Sequence, residues 1–192
     1  MKHIVLLGVP RAGKSTFAKM IKERFPIYNW IETDVIGCAY IEALEKAAEK
    51  TGKILNLKEI LESEVHQKLA KYVFTQSIKS EPEIRFILDA WDLSLEEAKQ
   101  YQKEGKIVIA FGYPNQTPQQ LYQTIKEYET KKDWTYIEPY WRLNLLTHTW
   151  VENSIQLEND CKDNDIKFVN TSNDREKVLK ELLKWVEEQN KC

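Results

Sequence analysis

The chain has 192 residues, the size of one domain and long enough to bury a substantial core. Its 28 basic and 30 acidic side chains give a formal net charge of -2 at pH 7. This balance leaves no global field that would draw the protein to nucleic acid or to an anionic membrane, so we expect a small-molecule partner.

The cysteines Cys38, Cys161 and Cys192 are an odd number without CxxC spacing. They predict reduced thiols rather than a disulfide framework or a zinc knuckle. The N-terminal apolar run is too short for a signal peptide, and nowhere do 18 apolar residues run together. We therefore expect a cytoplasmic protein without a membrane span.

The first predicted strand, His3 to Leu7, leads directly into GVPRAGKST, residues 8–16, and a helical pattern follows. Residues 8–15 fit GxxxxGK[ST] in full. In this pattern the backbone N–H groups wrap around a phosphate, and Gly13 tolerates a conformation that a Cβ would forbid. The alternative, a chance glycine-rich turn, does not explain the placement between a buried strand and a helix.

Each side chain of this loop has an expected role. Lys14 is expected to reach the β- and γ-phosphates, the Ser15 hydroxyl to bind Mg²⁺, and Thr16 to lie near the α-phosphate. Arg11 either touches a phosphate or only solvates the loop. The candidate nucleotide-binding residues of the loop are Gly8, Arg11, Ala12, Gly13, Lys14, Ser15 and Thr16.

The second predicted strand, Tyr28 to Glu32, is followed closely by Asp34. Ligands collect at the carboxyl edge of open α/β sheets, and a carboxylate there can take the proton of an acceptor hydroxyl. Alternatively, Thr33 or Asp34 merely caps a helix that starts near Ile36. The two roles can coexist.

Residues 37–79 predict two helices that are split at Thr51-Gly52. The apolar residues of the second helix recur at helical spacing. They are Leu57, Ile60, Leu61, Val65, Leu69 and Tyr72.

The third predicted strand, Ile84 to Leu88, ends at Asp89. An acid at this position emerges beside the phosphate loop, where it can hold the water shell of Mg²⁺, so Asp89 is the second candidate metal-site residue after Ser15. The alternative is a helix cap or a surface turn. Asp92 is a weaker substitute.

The last two predicted strands are Lys106 to Phe111 and Ile166 to Asn170, with a second insertion between them. This insertion predicts helices from about Pro118 to Glu129 and from about Pro139 to Asp160, joined by a charged and aromatic linker. Its aromatic residues either stack on a base or line an acceptor pocket, or they belong to the core. They are Trp134, Tyr136, Tyr140, Trp141 and Trp150.

A final helix is predicted from about Asp174 to Gln189, after the segment FVNTSND. The chain resembles P-loop kinases related to nucleoside monophosphate, gluconate and shikimate kinases. The segments that carry this resemblance are GVPRAGKST, ETD, ILDAWD and FVNTSND. The chain is most similar to small ATP-dependent kinases of uncertain acceptor. The resemblance implies a P-loop NTPase three-layer α/β/α fold with a five-stranded parallel sheet in order 2-3-1-4-5. It also implies a single domain over residues 1–192, an acceptor-binding insertion at 35–80, a lid-bearing insertion at 112–164, and ATP with Mg²⁺.

The resemblance also implies roles for individual residues. Asp34 matches the acidic residue that faces the acceptor, and Arg142 is the arginine of the lid insertion. Asn170 and Thr171 match the loop that borders the adenine, although a plain polar turn capping the last helix at Asn173 or Asp174 explains them equally well.

The sequence thus predicts ATP- and Mg²⁺-dependent phosphoryl transfer to a small hydroxyl-bearing acceptor, with Lys14, Asp34 and Arg142 as catalytic residues. One alternative is a nucleotide-binding ATPase or regulatory protein without an acceptor, and another is a nucleoside monophosphate kinase. The scarcity of arginine argues against an acceptor phosphate, since no arginine occurs between Arg24 and Arg85. The oligomeric state and the acceptor are not fixed by the sequence.

Overall fold

A computed structural model describes residues 1–52, 65–90, 93–131 and 133–191 of the chain. The predicted Leu57, Ile60 and Leu61, together with Asp92 and Cys192, lie outside the described residues. All five predicted strands are present, with ends that differ from the prediction by one residue at most. The strands are β1 Ile4–Gly8, β2 Tyr28–Glu32, β3 Arg85–Asp89, β4 Ile107–Gly112 and β5 Lys167–Asn170.

Helices alternate with these strands along the described chain. They are α1 Lys14–Arg24, α2 Thr33–Thr51, α3 Val65–Ser80, α4 Leu95–Lys103, α5 Pro118–Tyr128, α6 Trp134–Ile137, α7 Tyr140–Asp163 and α8 Arg175–Gln189. None of the described helices is long and apolar enough to cross a lipid bilayer.

The sheet is parallel, and its strand order β2-β3-β1-β4-β5 confirms the expected order. Because all strands run the same way, their carboxyl ends meet at one edge. Glu32 pairs in register with Asp89, and Gly8 with Phe111. The end of β1 is therefore flanked by the acidic ends of β2 and β3 on one side and by β4 on the other.

The core has two halves because successive side chains of a strand point to opposite faces of the sheet. Ile4 and Leu6 of β1 belong to one half of the core, which is covered by α1, α5 and α8. Val5 and Leu7 belong to the other half, which is covered by α3 and α4. Every residue of β1 and β4 is buried. This burial on both faces explains the apolar runs that predicted the strands.

The first insertion differs from its prediction at its start. α2 begins at Thr33, with Glu32 at the cap position, and no side chain caps this helix. The expectation that Thr33 or Asp34 caps a helix starting near Ile36 is therefore wrong, because both residues already belong to the first turn. α2 does end at the predicted Thr51-Gly52 boundary, where Gly52 adopts a φ of 65°.

The second insertion contains an element that the sequence analysis did not anticipate. The aromatic linker between the predicted helices includes the short helix α6, which Asp133 precedes. α5 begins with a capping box between Thr117 and Gln120. Trp150 is buried in the core, whereas Tyr140 and Trp141 at the start of α7 are exposed, so the core interpretation holds for Trp150 and fails for the other two.

His3, which directly precedes β1, gives the fold a pH dependence. Its Nδ1 accepts a hydrogen bond from the backbone N–H of Phe86 at 3.1 Å, and its ring stacks on the Phe86 ring. Burial, and after it the positive charges of Arg85 and Lys106, lower the pKa of His3 to about 4. The folded protein therefore holds this imidazole in its neutral form.

We expect the free energy of unfolding to fall as the pH is lowered from about 6.5 to about 4, because the unfolded chain takes up a proton on His3 over this range and the folded chain does not. Urea denaturation at pH 7 and at pH 5 measures the change. His3→Gln should reduce this pH dependence, while the same substitution at the exposed His148 should not. Equal pH dependence in wild type and His3→Gln would contradict the prediction.

Candidate active site

The loop between β1 and α1 departs from β1 at a very close approach to β4. A Cβ on Gly8 would lie 2.1 Å from the carbonyl oxygen of Phe111, and Gly8 has a φ of 131°. At the other end of the loop Gly13 adopts a φ of 98° and precedes α1 without a side-chain cap. Both glycines of the sequence motif therefore stand where a side chain is sterically excluded or strained.

Lys14 is the first residue of α1 and is only 7% exposed. Its Nζ donates hydrogen bonds to the carbonyl oxygens of Gly8 and Val9, at 3.0 and 3.1 Å. Burial lowers the pKa of Lys14, and the negative charges of Asp89, Asp34 and Glu32 oppose this shift. The ammonium group thus lies inside the loop and faces three carboxylates.

Ser15 and Asp89 form the contact that links the loop to β3. The Ser15 hydroxyl donates to Oδ2 of Asp89 at 2.7 Å, and Asp89 is 4% exposed. Burial raises the pKa of Asp89, while the nearby Lys14 ammonium and the Ser15 hydrogen bond act in the opposite direction. The structure therefore brings together the two predicted metal-site residues, and Asp89 is neither a helix cap nor part of a surface turn.

Glu32 is a site residue that the sequence analysis missed. It lies at the end of β2 beside Asp89, and burial followed by the charges of Asp89 and Asp34 raises its pKa. Asp34 is exposed in the first turn of α2, two residues further on. The signal was present in the run Glu32-Thr33-Asp34, because the acid that ends a parallel strand lies at the ligand edge of the sheet.

The loop after β5 supports the phosphate loop through backbone contacts. The Thr171 hydroxyl lies 3.1 Å from the carbonyl oxygens of both Ala12 and Gly112. The backbone N–H of Thr171 donates a hydrogen bond to the carbonyl oxygen of Gly112 at 2.7 Å. Asn170 accepts a hydrogen bond from the backbone N–H of Ser172. Asp174 caps α8, as the alternative interpretation of this loop held. An adenine contact for Asn170 and Thr171 stays a prediction.

Arg11 connects the phosphate loop with the second insertion. It has a φ of 64°, and its guanidinium donates to Oδ1 of Asp133 at 2.9 Å and to the Thr135 hydroxyl at 2.7 Å. Thr135, in α6, is fully buried. Neither sequence interpretation of Arg11 anticipated this contact, which brings the second insertion to the loop.

Arg142 lies on the exposed side of α7. Its guanidinium forms an ion pair with Glu138 at 3.3 Å, within the same insertion. The proposed closing role of Arg142 stays a prediction, and Thr16, exposed in the first turn of α1, likewise has only its expected role.

The residues at this edge fit a magnesium nucleotide. The Ser15 hydroxyl and the Asp89 carboxylate are the hard oxygen donors that Mg²⁺ prefers, and Mg²⁺ is commonly held by one or two carboxylates together with substrate phosphates. In the described part of the chain, no group of three or more His, Cys, Asp and Glu side chains is placed to hold a metal by itself.

Solved structures similar to this chain include small-molecule kinases. A gluconokinase from Sinorhizobium meliloti 1021 superposes with a TM-score of 0.58 at 14% identity, over 95% of this chain and 90% of that one. A shikimate kinase from Bacteroides thetaiotaomicron gives a TM-score of 0.57 at 10% identity, over 97% and 99%. The chain has the fold of the P-loop kinases.

A sugar kinase from Janibacter sp. HTCC2649 shares this P-loop kinase fold with a TM-score of 0.56 at 13% identity, over 97% of this chain and 95% of that one. In sequence, the family model described as chromatin associated protein KTI12 matches residues 1–78, less than half of the chain. No curated protein sequence matches the chain.

We expect Thr171→Val to lower the free energy of unfolding by about 1 kcal/mol, because it removes the hydroxyl contacts with Ala12 and Gly112 and keeps the shape of the side chain. Thr171→Ser keeps the hydroxyl and is the matched control. Urea denaturation measures both variants. If the valine variant proves as stable as the serine variant, the hydroxyl does not anchor the loop of this P-loop kinase fold.

Arg11→Ala should loosen α6, because it removes the contacts with Asp133 and Thr135, an interaction of about 1 kcal/mol. Hydrogen exchange of the α6 amides should accelerate roughly fivefold. Arg142→Ala, which breaks the ion pair with Glu138, is the control for loss of an arginine in the neighbouring segment. Unchanged exchange in Arg11→Ala would show that the insertion is held at the loop by other contacts.

Proposed function

We propose that the protein transfers the γ-phosphoryl group of ATP, with Mg²⁺, to a hydroxyl group of a small molecule. The observation that carries this proposal is the 2.7 Å contact between Ser15 and Asp89 beside the buried Lys14. One edge of the sheet then holds the phosphate loop, the Ser15–Asp89 pair proposed to bind the metal, and the exposed acid Asp34. The fold shared with gluconokinase and shikimate kinase supports it.

On the donor side, the loop amides and Lys14 would stabilise the negative charge of the transferring phosphoryl group. Ser15 and Asp89 would hold Mg²⁺, which when bound neutralises charge on the phosphate oxygens. In the structure Lys14 donates to two loop carbonyls, so its ammonium already lies along the inside of the loop. Little reorganisation of the side chain is then required for its role.

On the acceptor side, Asp34 would orient the hydroxyl and take its proton. The bond between the γ-phosphorus and the bridging oxygen of ATP breaks, a bond between the same phosphorus and the acceptor oxygen forms, and ADP leaves. Asp34 suits this role because it is exposed at the carboxyl edge of the sheet, within the electrostatic reach of Lys14. Glu32, with its raised pKa, interacts electrostatically with both Asp89 and Asp34 in the same cluster.

The acceptor is proposed to be neutral rather than phosphorylated. A phosphate-bearing acceptor requires cations on its side of the site, and in the described part of the chain the charged groups that act on Lys14 there are the carboxylates of Glu32, Asp34 and Asp89. Arg142 is already paired with Glu138. These charges disfavour the nucleoside monophosphate kinase alternative.

A second candidate function is a nucleotide-binding ATPase or regulatory protein without a small-molecule acceptor. The match of residues 1–78 to the model of a chromatin associated protein favours it, because this segment contains the phosphate loop and Asp34. The two candidates agree on the nucleotide and differ on whether a hydroxyl compound accelerates the loss of ATP.

The test is ATP consumption with Mg²⁺, with and without pooled sugars, polyols, nucleosides and hydroxylated antibiotics. We expect acceptors to accelerate wild-type turnover, Lys14→Ala to abolish it, and Asp34→Asn to lose at least 100-fold of the acceptor-dependent rate while still binding ATP. Lys19→Ala and Asp163→Asn replace exposed residues away from this cluster and are the matched controls.

Each result of this test has a distinct meaning. ATP binding without stimulation by any pool would favour the acceptor-free alternative. Asp34→Asn with the wild-type acceptor-dependent rate would remove Asp34 from the mechanism. Wild-type ATP affinity in Lys14→Ala would contradict the nucleotide site itself.

A further inference from the structure

Arg175 places a second guanidinium group beside the phosphate loop. It is the first residue of α8, yet its side chain reaches back to Gly13, where its Cδ lies 3.4 Å from the position that a Cβ would occupy. Tyr113, whose hydroxyl donates to the carbonyl oxygen of Pro10, and Arg11 both lie within its electrostatic reach. The side-chain stem of Arg175 therefore packs against the loop, and the residue is half-buried there.

This guanidinium lacks an anionic partner within the described residues. It forms no hydrogen bond or ion pair there, and the side chains within its electrostatic reach are Tyr128, Tyr113 and Arg11. The carboxylate of the neighbouring Asp174 accepts a hydrogen bond from the backbone N–H of Lys177, as the cap of α8. Burial lowers the pKa of Arg175, and the positive charge of Arg11 adds to the shift.

Packing of the side-chain stem does not account for a charge in this place. The methylene groups cover Gly13, next to Leu179, and a leucine or methionine would cover it without the cost of desolvating a cation. The guanidinium of Arg11, by contrast, donates hydrogen bonds to Asp133 and Thr135. Of these two arginines near the loop, Arg175 is the one that pairs with no carboxylate among the residues that the structure describes.

We propose that Arg175 binds the phosphate chain of the nucleotide that occupies this loop. The inference rests on the proposed function, and it deepens that function by adding a cation from α8 to the nucleotide side of the site. A polyphosphate is the ligand of matching chemistry, because it is multiply anionic and accepts the paired hydrogen bonds of a guanidinium. It would compensate the charge of Arg175 as it fills the loop beside Lys14.

The experiment measures the dissociation constants of Mg-ATP and of magnesium tripolyphosphate by calorimetry. We expect Arg175→Gln to weaken both about tenfold, since a charge-assisted hydrogen bond is lost with each ligand. Arg175→Lys should recover part of both affinities because it restores the charge. Arg24→Gln is the matched control, since Arg24 pairs with Glu187 on the exposed side of α1. Thermal unfolding checks that all variants fold equally well.

The outcomes separate this inference from the proposed function. Binding of both ligands by Arg175→Gln within twofold of wild type overturns the inference and leaves the proposed function standing. Weaker binding of Mg-ATP with unchanged binding of tripolyphosphate also overturns it, because Arg175 would then contact the nucleoside. A wild-type protein that binds neither ligand overturns both proposals.

Discussion

The close approach of β1 to β4 at Gly8 is the constraint on which the site depends. Where a Cβ would stand, the carbonyl oxygen of Phe111 is only 2.1 Å away, so the backbone of β1 ends directly against its neighbour. Val9 still donates its N–H to Phe111 O, at 3.2 Å. The start of the loop is thereby fixed to the central strands of the sheet. This contact also fixes the position of Lys14, the first residue of α1.

Charge at this edge is arranged around one buried cation. Lys14 is surrounded by Glu32, Asp34 and Asp89, and the pKa shifts of Glu32 and Asp89 both show that burial and mutual repulsion make their ionisation costly. Such a cluster of buried acids lowers the free energy of unfolding, so stability alone does not explain it. Its arrangement is explained if the site is completed by cations and phosphates that are not part of the chain.

Much of this was predictable from the sequence because the pattern and its physical cause are both local. The buried strands appear as apolar runs, and GVPRAGKST specifies its own backbone conformation. The start of α2 was misjudged because Thr33 and Asp34 have strong cap preferences, whereas in the structure both lie in the first turn of the helix. The contacts of Arg11 with Asp133 and of Arg175 with Gly13 join residues more than 100 positions apart, and no short-range pattern encodes them.

The three carboxylates around a single ammonium also bear on the order in which ligands enter. When all are ionised, the cluster carries an excess of negative charge, and a free nucleotide, itself an anion, is repelled as it approaches. A nucleotide that already carries its metal has part of its charge neutralised and meets less repulsion. Under the proposed function, the cluster would therefore favour entry of the metal complex over that of the uncomplexed nucleotide.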